Sequence, residues 1–263
     1  MSIKGFKRKF LTALFFFSCI WVLWQTAGPA MAMHISEGIL PAKWSAFWLV
    51  VALAFLFPGV LAIYRSIKED RAMAPRLALA GALVFVISLI PIPVPISGTC
   101  SHPCGTPLAA LMIGPLMSTV MASIALLLQA LLLAHGGLTT WGANLFSMGV
   151  VGSLVGLSVY RLSRRWGAGY FLSGFLAGFT GDILVYFTTA LQLASGVPSG
   201  RGFSSDLAKI FIAFLPTQLP LAVLEGMFTG GVVAALARSR PEVLFQLKGS
   251  GRNWLPNVLA KRR

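Results

Sequence analysis

Along this chain apolar residues neither alternate nor mark one face of a helix; they fill whole stretches separated by short polar connectors. The stretches run from Phe10 to about Trp24, Trp44 to Tyr64, Leu77 to Pro95, Leu108 to Leu133, Asn144 to Leu162, Gly169 to Leu193 and Leu207 to Ala237. Runs of about 20 apolar residues match the hydrocarbon thickness of a bilayer, where a backbone without water satisfies its N–H and C=O groups inside a helix. The pattern predicts an all-α, polytopic membrane protein with a single membrane domain.

The first stretch differs from the others. It is short for a span, a basic segment precedes it (Lys4, Lys7, Arg8, Lys9), and Gly28-Pro29 and then Ala30-Met31-Ala32 follow it. That is the build of a signal peptide, residues 1–32, cleaved after Ala32; the alternative is an uncleaved anchor helix. Cleavage makes Met33 a free amino terminus outside the cytoplasm, with His34 second.

Charge orients the rest. "RSIKEDRAMAPR" (65–76) is net +2, "RLSRRW" (161–166) is +3, and the tail from Arg238 holds seven basic residues against Glu242. All three belong on the cytoplasmic side. With an external terminus, a single crossing by Leu108 to Leu133 would strand the last two outside. That stretch is therefore expected to break at Gly114-Pro115 and to make two short passes, or to dip and return. The mature chain then has about seven helical passes, and the loops at Met33, His102 and His135 share the external face. The transmembrane domain is 33–240; 241–263 is a basic cytoplasmic tail suited to anionic lipid. The external loop 194–206 is turn-rich and expected to be mobile.

Composition narrows the function classes. The 263 residues are 57% apolar and 11% charged, with a mean hydropathy of +0.82, far outside the range of soluble domains. The net charge of +14 sits between apolar stretches and at the ends, with no aromatic-basic platform, so no nucleic acid is expected as a partner. The chain has no Walker A loop, no glycine-rich dinucleotide fingerprint, no HExxH and no Ser-His-Asp arrangement. Any use of ATP falls to a partner.

The three histidines, His34, His102 and His135, carry the candidate chemistry. A free Met33 amine, the His34 amide nitrogen and the His34 imidazole close consecutive five- and six-membered rings around one metal ion. Three nitrogens in a plane suit Ni(II) and Cu(II) and can hold Co(II), whereas Zn(II) prefers tetrahedral ligands; the plain alternative is a solvated histidine near a new terminus. His102, in "ISGTCSHPCGTPLAALMIGP" (96–115), is the candidate for the fourth corner. Its flanking Cys100 and Cys104 are open to three fates: a disulfide, free thiols or auxiliary ligands. Between 126 and 152, Gln129, His135, Thr139, Thr140 and Asn144 are polar groups in or near hydrocarbon. His135 reads as an auxiliary ligand or an interfacial helix-end histidine, and Asn144 as a group holding the His34 or His102 ring or as a helix cap. Asp182 and Glu225 lie inside late apolar stretches. They serve either helix packing, beside Gly178, Gly181, Gly226, Gly230 and Gly231, or proton transfer at membrane depth.

Three segments, "MHISEGIL", "SGTCSHPCGTPLAALMIGP" and "LLLQALLLAHGGLTTWGANLFSMGVVG", resemble the CbiM/NikM family, the substrate-capture membrane components of energy-coupling-factor transporters for cobalt and nickel. The resemblance covers most of the mature chain and is weakest after about Arg161. It implies a seven-helix fold whose amino-terminal segment tucks into the external mouth, with Met33 and His34 supplying three nitrogens and His102 the fourth. It further implies a transmembrane coupling component, two ABC-type ATPase subunits, often a small accessory membrane protein, and a bacterial plasma membrane location. No permanent cofactor is implied; Co(II) or Ni(II) is the transported substrate, destined for cobalamin synthesis or a nickel enzyme. Two features depart from the family pattern: the presequence before Met33 and the cysteines around His102. The rival readings are a proton-coupled secondary metal carrier, resting on Asp182 and Glu225, and an intramembrane metal hydrolase, for which Glu37 is the carboxylate nearest the candidate ligands in sequence.

Overall fold

The computed structural model describes residues 31–32, 34–89, 92–93, 99–133 and 135–244, with the backbone alone described at 31–32, 92–93, 99–101 and 242. The signal peptide body, Met33 and the tail from 245 lie outside the described residues. Among the described residues, seven segments form the helical bundle: α1 (Ala42–Glu69), α2 (Met73–Ser88), α3 (Thr106–Ile113), α4 (Pro115–Leu133), α5 (Trp141–Arg165), α6 (Tyr170–Gly196) and α7 (Phe203–Ser239), followed by one 3-10 turn at Pro241–Val243. Among the described residues, α1, α4, α5, α6 and α7 are long and apolar enough to cross a membrane, and α2 is a shorter apolar helix.

The expected break in the third apolar stretch is present. Gly114, at φ 90°, separates α3 from α4, a left-handed conformation that costs a residue with a Cβ but not glycine. Every residue of α3 is buried. Eight residues rise only about 12 Å, so α3 penetrates rather than crosses, and its helical neighbours cover the backbone ends that hydrocarbon would leave unsatisfied.

Small residues set the packing around α3. A Cβ on Gly156 or Gly181 would fall 2.7 or 2.6 Å from Pro107. The α6–α7 pair is equally close: a Cβ on Gly174 would meet Gly230 Cα at 2.9 Å, and one on Gly178 would meet Gly226 Cα at 3.0 Å. These glycines do the packing expected of them, with two exceptions: Gly181 faces α3, and Gly231 has nothing within 4 Å of its Cβ position.

α5 opens irregularly. Its first turn, Trp141–Asn144, runs into a π-helical segment, Leu145–Val151, before regular helix resumes at Gly152. A π segment loosens carbonyls, and two threonines donate to them: Thr106 Oγ1 to Met148 O at 2.7 Å and Thr119 Oγ1 to Gly149 O at 3.0 Å. The connection between α6 and α7 is shorter than the turn-rich loop expected from sequence. α6 extends to Gly196, and Asp206 ties the turn by accepting from the Ser199 amide at 2.8 Å.

Three short strands among the described residues supplement the helices. β1 (Met31–Ala32) runs parallel to β3 (Thr99–Ser101), and β2 (Ile92–Pro93) pairs antiparallel to β3 on its other side. β1 ends two residues before His34 and β3 one residue before His102. Met31 opposes Thr99 and Ala32 opposes Cys100, so the pairing brings the two histidine-bearing segments alongside each other.

Candidate metal-capture site

Backbone contacts place the amino-terminal segment. After β1 the chain lies across the start of α5, where the Ile35 amide donates to Asn144 Oδ1 at 2.9 Å. The Ile35 carbonyl accepts from Asn144 Nδ2 at 3.1 Å and from Thr140 Oγ1. Asn144 therefore grips the backbone beside His34 rather than a histidine ring, in place of the ring contact or helix cap expected from sequence. Thr139 holds Glu37 through its amide at 3.1 Å and through its hydroxyl, and the Glu37 amide donates to Gly136 O at 3.3 Å. Gly137 is indispensable to this contact, since a Cβ there would fall 2.7 Å from Glu37 N and Cα.

The clamp delivers His34 to two other histidines. Ring centroids of His34 and His102 are 4.7 Å apart, His34 and His135 5.2 Å, and His102 and His135 5.4 Å. One ligand nitrogen from each lies within 4.8 Å of the others. His34 and His102 are buried and His135 is half-buried. The sequence leaves His135 as an auxiliary ligand or an interfacial helix-end histidine; its backbone, bonded to Gln129 O at 3.1 Å as α4 ends, turns the ring toward the other two.

Hydrogen bonds assign the lone pairs. Ser88 Oγ donates to Val84 O at 2.7 Å and accepts from Gln129 Nε2 at 2.7 Å. This order points Gln129 Oε1 at His34 Nε2, 3.1 Å away, so Nε2 carries the proton and Nδ1 the lone pair. For His102, Nδ1 lies 3.0 Å from the Pro103 carbonyl, which can only accept; the lone pair is on Nε2. His135 Nε2 is buried with no hydrogen-bond partner among the described residues. Gln129 and Ser88 are the site residues that sequence reasoning did not assign. A glutamine inside an apolar run was their one visible signal.

Burial keeps the rings neutral. His34 is held well below the ordinary value of 6.5, first by burial and then by the neighbouring His102 and His135, with the Gln129 contact acting in the opposite sense. His102 is pushed down to about 3, chiefly by burial and then by His135. His135 is lowered by burial. Neutral imidazole is the form that binds a metal ion, so none of the three has to lose a proton first at neutral pH.

The cysteines take other places. Cys104 is a free, buried thiol. It donates to Asp182 Oδ1 at 3.5 Å and groups with Asp182 and Glu225, not with the histidines. Cys100 has its backbone in β3, and its side chain is outside the described part. Met33, the expected amine ligand, is outside it too.

Residues 34–243 match the family model described as "Cobalt uptake substrate-specific transmembrane region" (CbiM). A "Cobalt transport protein CbiM" from Geobacter sulfurreducens is 52% identical over 84% of this chain; the match spans 64% of that longer protein. A protein of the same name from Sorangium cellulosum is 48% identical over 82% of this chain and 96% of its own. Among solved structures, a transition metal transporter aligns with a TM-score of 0.68 at 26% identity, covering 82% of this chain and all of that one. A truncated transition metal transporter aligns at 0.65 and 27%, covering 78% and 98%.

Proposed function

The chain belongs to the CbiM family, and from that premise we propose that it is the substrate-capture membrane component of an energy-coupling-factor transporter importing Co(II) or Ni(II). One observation carries the reading: three neutral imidazoles converge in a buried mouth, with lone pairs at His34 Nδ1 and His102 Nε2. Nδ1 is the atom that closes a six-membered ring with the His34 amide nitrogen around one ion. Cleavage after Ala32 adds the Met33 amine and its five-membered ring, and His102 Nε2 completes a tetragonal nitrogen field. His135 stands beside this plane as a further ligand or a hand-over group.

The ion is cargo, and the site is built to hold it, not to do chemistry on it. Hydrolysis by a bound metal requires a general base beside the open position, and Glu37, the carboxylate on the capture segment, is occupied by Thr139. The names of the relatives favour cobalt; the nitrogen field accommodates nickel equally. In this reading the mouth faces the outside of a bacterial plasma membrane. A transmembrane coupling component and two ABC-type ATPase subunits, with a small accessory membrane protein, supply ATP hydrolysis and release the ion inward.

Intact mass and elemental analysis of the purified protein test the reading. A terminus at Met33 with stoichiometric cobalt or nickel is expected, and one residue inserted before Met33 abolishes tight binding. Equally tight binding by a protein that retains residues 1–32 overturns the amine chelate. Uptake that requires the ATPase subunits supports the coupling mechanism, and uptake driven by a proton gradient without them identifies a secondary carrier.

A further inference from the structure

The loop that presents His102 is held by an acid more than a hundred residues away. Cys104 N–H donates to Glu225 Oε2 at 2.7 Å and Gly105 N–H donates to Oε1 at 2.9 Å. Glu225 lies within α7 and is 2% exposed. No lysine or arginine forms an ion pair with it among the described residues. Its counter-charge is the positive end of α3, which begins at Thr106 immediately after the two amides. Acids in hydrocarbon are costly and are found where they have work to do.

The other side of the loop is equally fixed. Gly105 takes φ 69°, and its Cβ position falls 3.3 Å from Val84 Cα and 3.4 Å from Ile87 of α2, so the loop cannot back away from Glu225. Asp182 of α6 receives the Cys104 thiol, and Thr106 is bonded to the π segment of α5. Four helices thus converge on Cys104, Gly105 and Thr106, two to four residues after His102.

We infer that Glu225 is a positioning residue for metal capture: it fixes loop 102–105 before the ion arrives and ties His102 to the last membrane helix. A shift of α7 against α3 is then transmitted to a metal ligand through two backbone hydrogen bonds. Cys104, Asp182 and Glu225 also bring three donor atoms within 4.8 Å of one another. Both Glu225 oxygens, however, are already engaged by amides and Asp182 Oδ1 by the Cys104 thiol, which leaves Asp182 Oδ2 as the one carboxylate oxygen of the group without a hydrogen bond among the described residues and favours anchoring over ion binding. The inference rests on the capture-site reading.

The test is Co(II) titration of the full-length protein in detergent, followed by ligand-field absorption. Glutamine offers one acceptor oxygen and turns an NH2 toward the other amide. Glu225→Gln is therefore expected to weaken binding about 10- to 100-fold, the usual cost of losing a group that orients a ligand. The spectrum of the remaining complex should also shift, which a purely structural loss elsewhere would not cause. His34→Ala and His102→Ala run in parallel. If these leave binding intact, the capture site itself is misassigned. If they abolish it while Glu225→Gln matches the unaltered protein in affinity and spectrum, the positioning role alone is overturned. Loss of a second cobalt equivalent from Glu225→Gln, with the histidine spectrum unchanged, would make the cluster an ion site and also overturn it. Should Glu225→Gln not fold, hydrogen–deuterium exchange on the unaltered, metal-free protein decides. Slow exchange across 102–105 is expected, and fast exchange refutes the clamp.

Discussion

Two buried clusters flank the same loop and are built in opposite ways. At His34, His102 and His135, the outer hydrogen bonds hold two of the rings by one nitrogen each and turn the opposite nitrogen's lone pair toward a common volume. At Cys104, Asp182 and Glu225, both oxygens of the glutamate are consumed by backbone amides and the thiol donates to the aspartate. The first has donor atoms to offer a cation, whereas the second spends both glutamate oxygens and one aspartate oxygen on the protein and keeps only Asp182 Oδ2 without a hydrogen bond among the described residues. Binding capacity comes from what the surroundings leave unspent, not from the number of ligating residue types in a cluster.

The sharpest way to break this contrast is His34→Ala. It removes the imidazole from the proposed chelate and should lower Co(II) or Ni(II) affinity by more than the roughly 100-fold upper range for losing an orienting neighbour. Equilibrium dialysis measures it, and retention of affinity would show that the histidine cluster is not the capture site. Gln129→Leu keeps every imidazole but frees the His34 ring from its tautomer. A loss of about 10- to 100-fold is expected, with far-UV circular dichroism unchanged.

Acid provides a third test. The three histidines bind protons less readily in the folded protein than their ordinary value of 6.5, down to about 3 for His102. The unfolded chain therefore takes up more protons between these limits. Stability of the metal-free protein should be level in this respect above about pH 6.5 and decline as pH falls toward about 3. His135→Phe should flatten part of that decline in thermal unfolding curves.

Scaffold positions sharpen the contrast further. A Cβ on Gly142 would fall 2.4 Å from Leu49 Cα, against the backbone of α1. Gly142→Ala should cost about 1–3 kcal/mol through overpacking, whereas Gly231→Ala, with open space around it, should gain up to about 1 kcal/mol from helix propensity. The smallest effect belongs to Thr139→Val. Its Glu37 partner is exposed, and the Thr139 hydroxyl holds that carboxyl below its ordinary value. An exposed polar pair contributes at most about 1 kcal/mol, so metal affinity should change by no more than about fivefold.

The sequence by itself determined the membrane class and the helices. Apolar runs of spanning length and basic connectors are local properties; charge parity required an interruption of the third run, and the Gly114-Pro115 pair marked its place. The histidines at 34 and 102 could be singled out as candidates for a similar reason, since chelate geometry depends on adjacent atoms and His102 sits in a loop of unusual composition. Only the tertiary structure decided the rest. The position of His135 follows from how α4 ends against the capture segment, and the lone pair on His34 from a relay running through Gln129 to Ser88. Asn144 grips a backbone 109 residues away instead of a ring, and Cys104 turns from the histidines to Asp182. In each case the partner is brought close by helix packing, and packing among nearly uniform apolar surfaces leaves no periodic trace in the chain. A buried polar group announces that it must have a partner; which one it has is settled by where the helices place it.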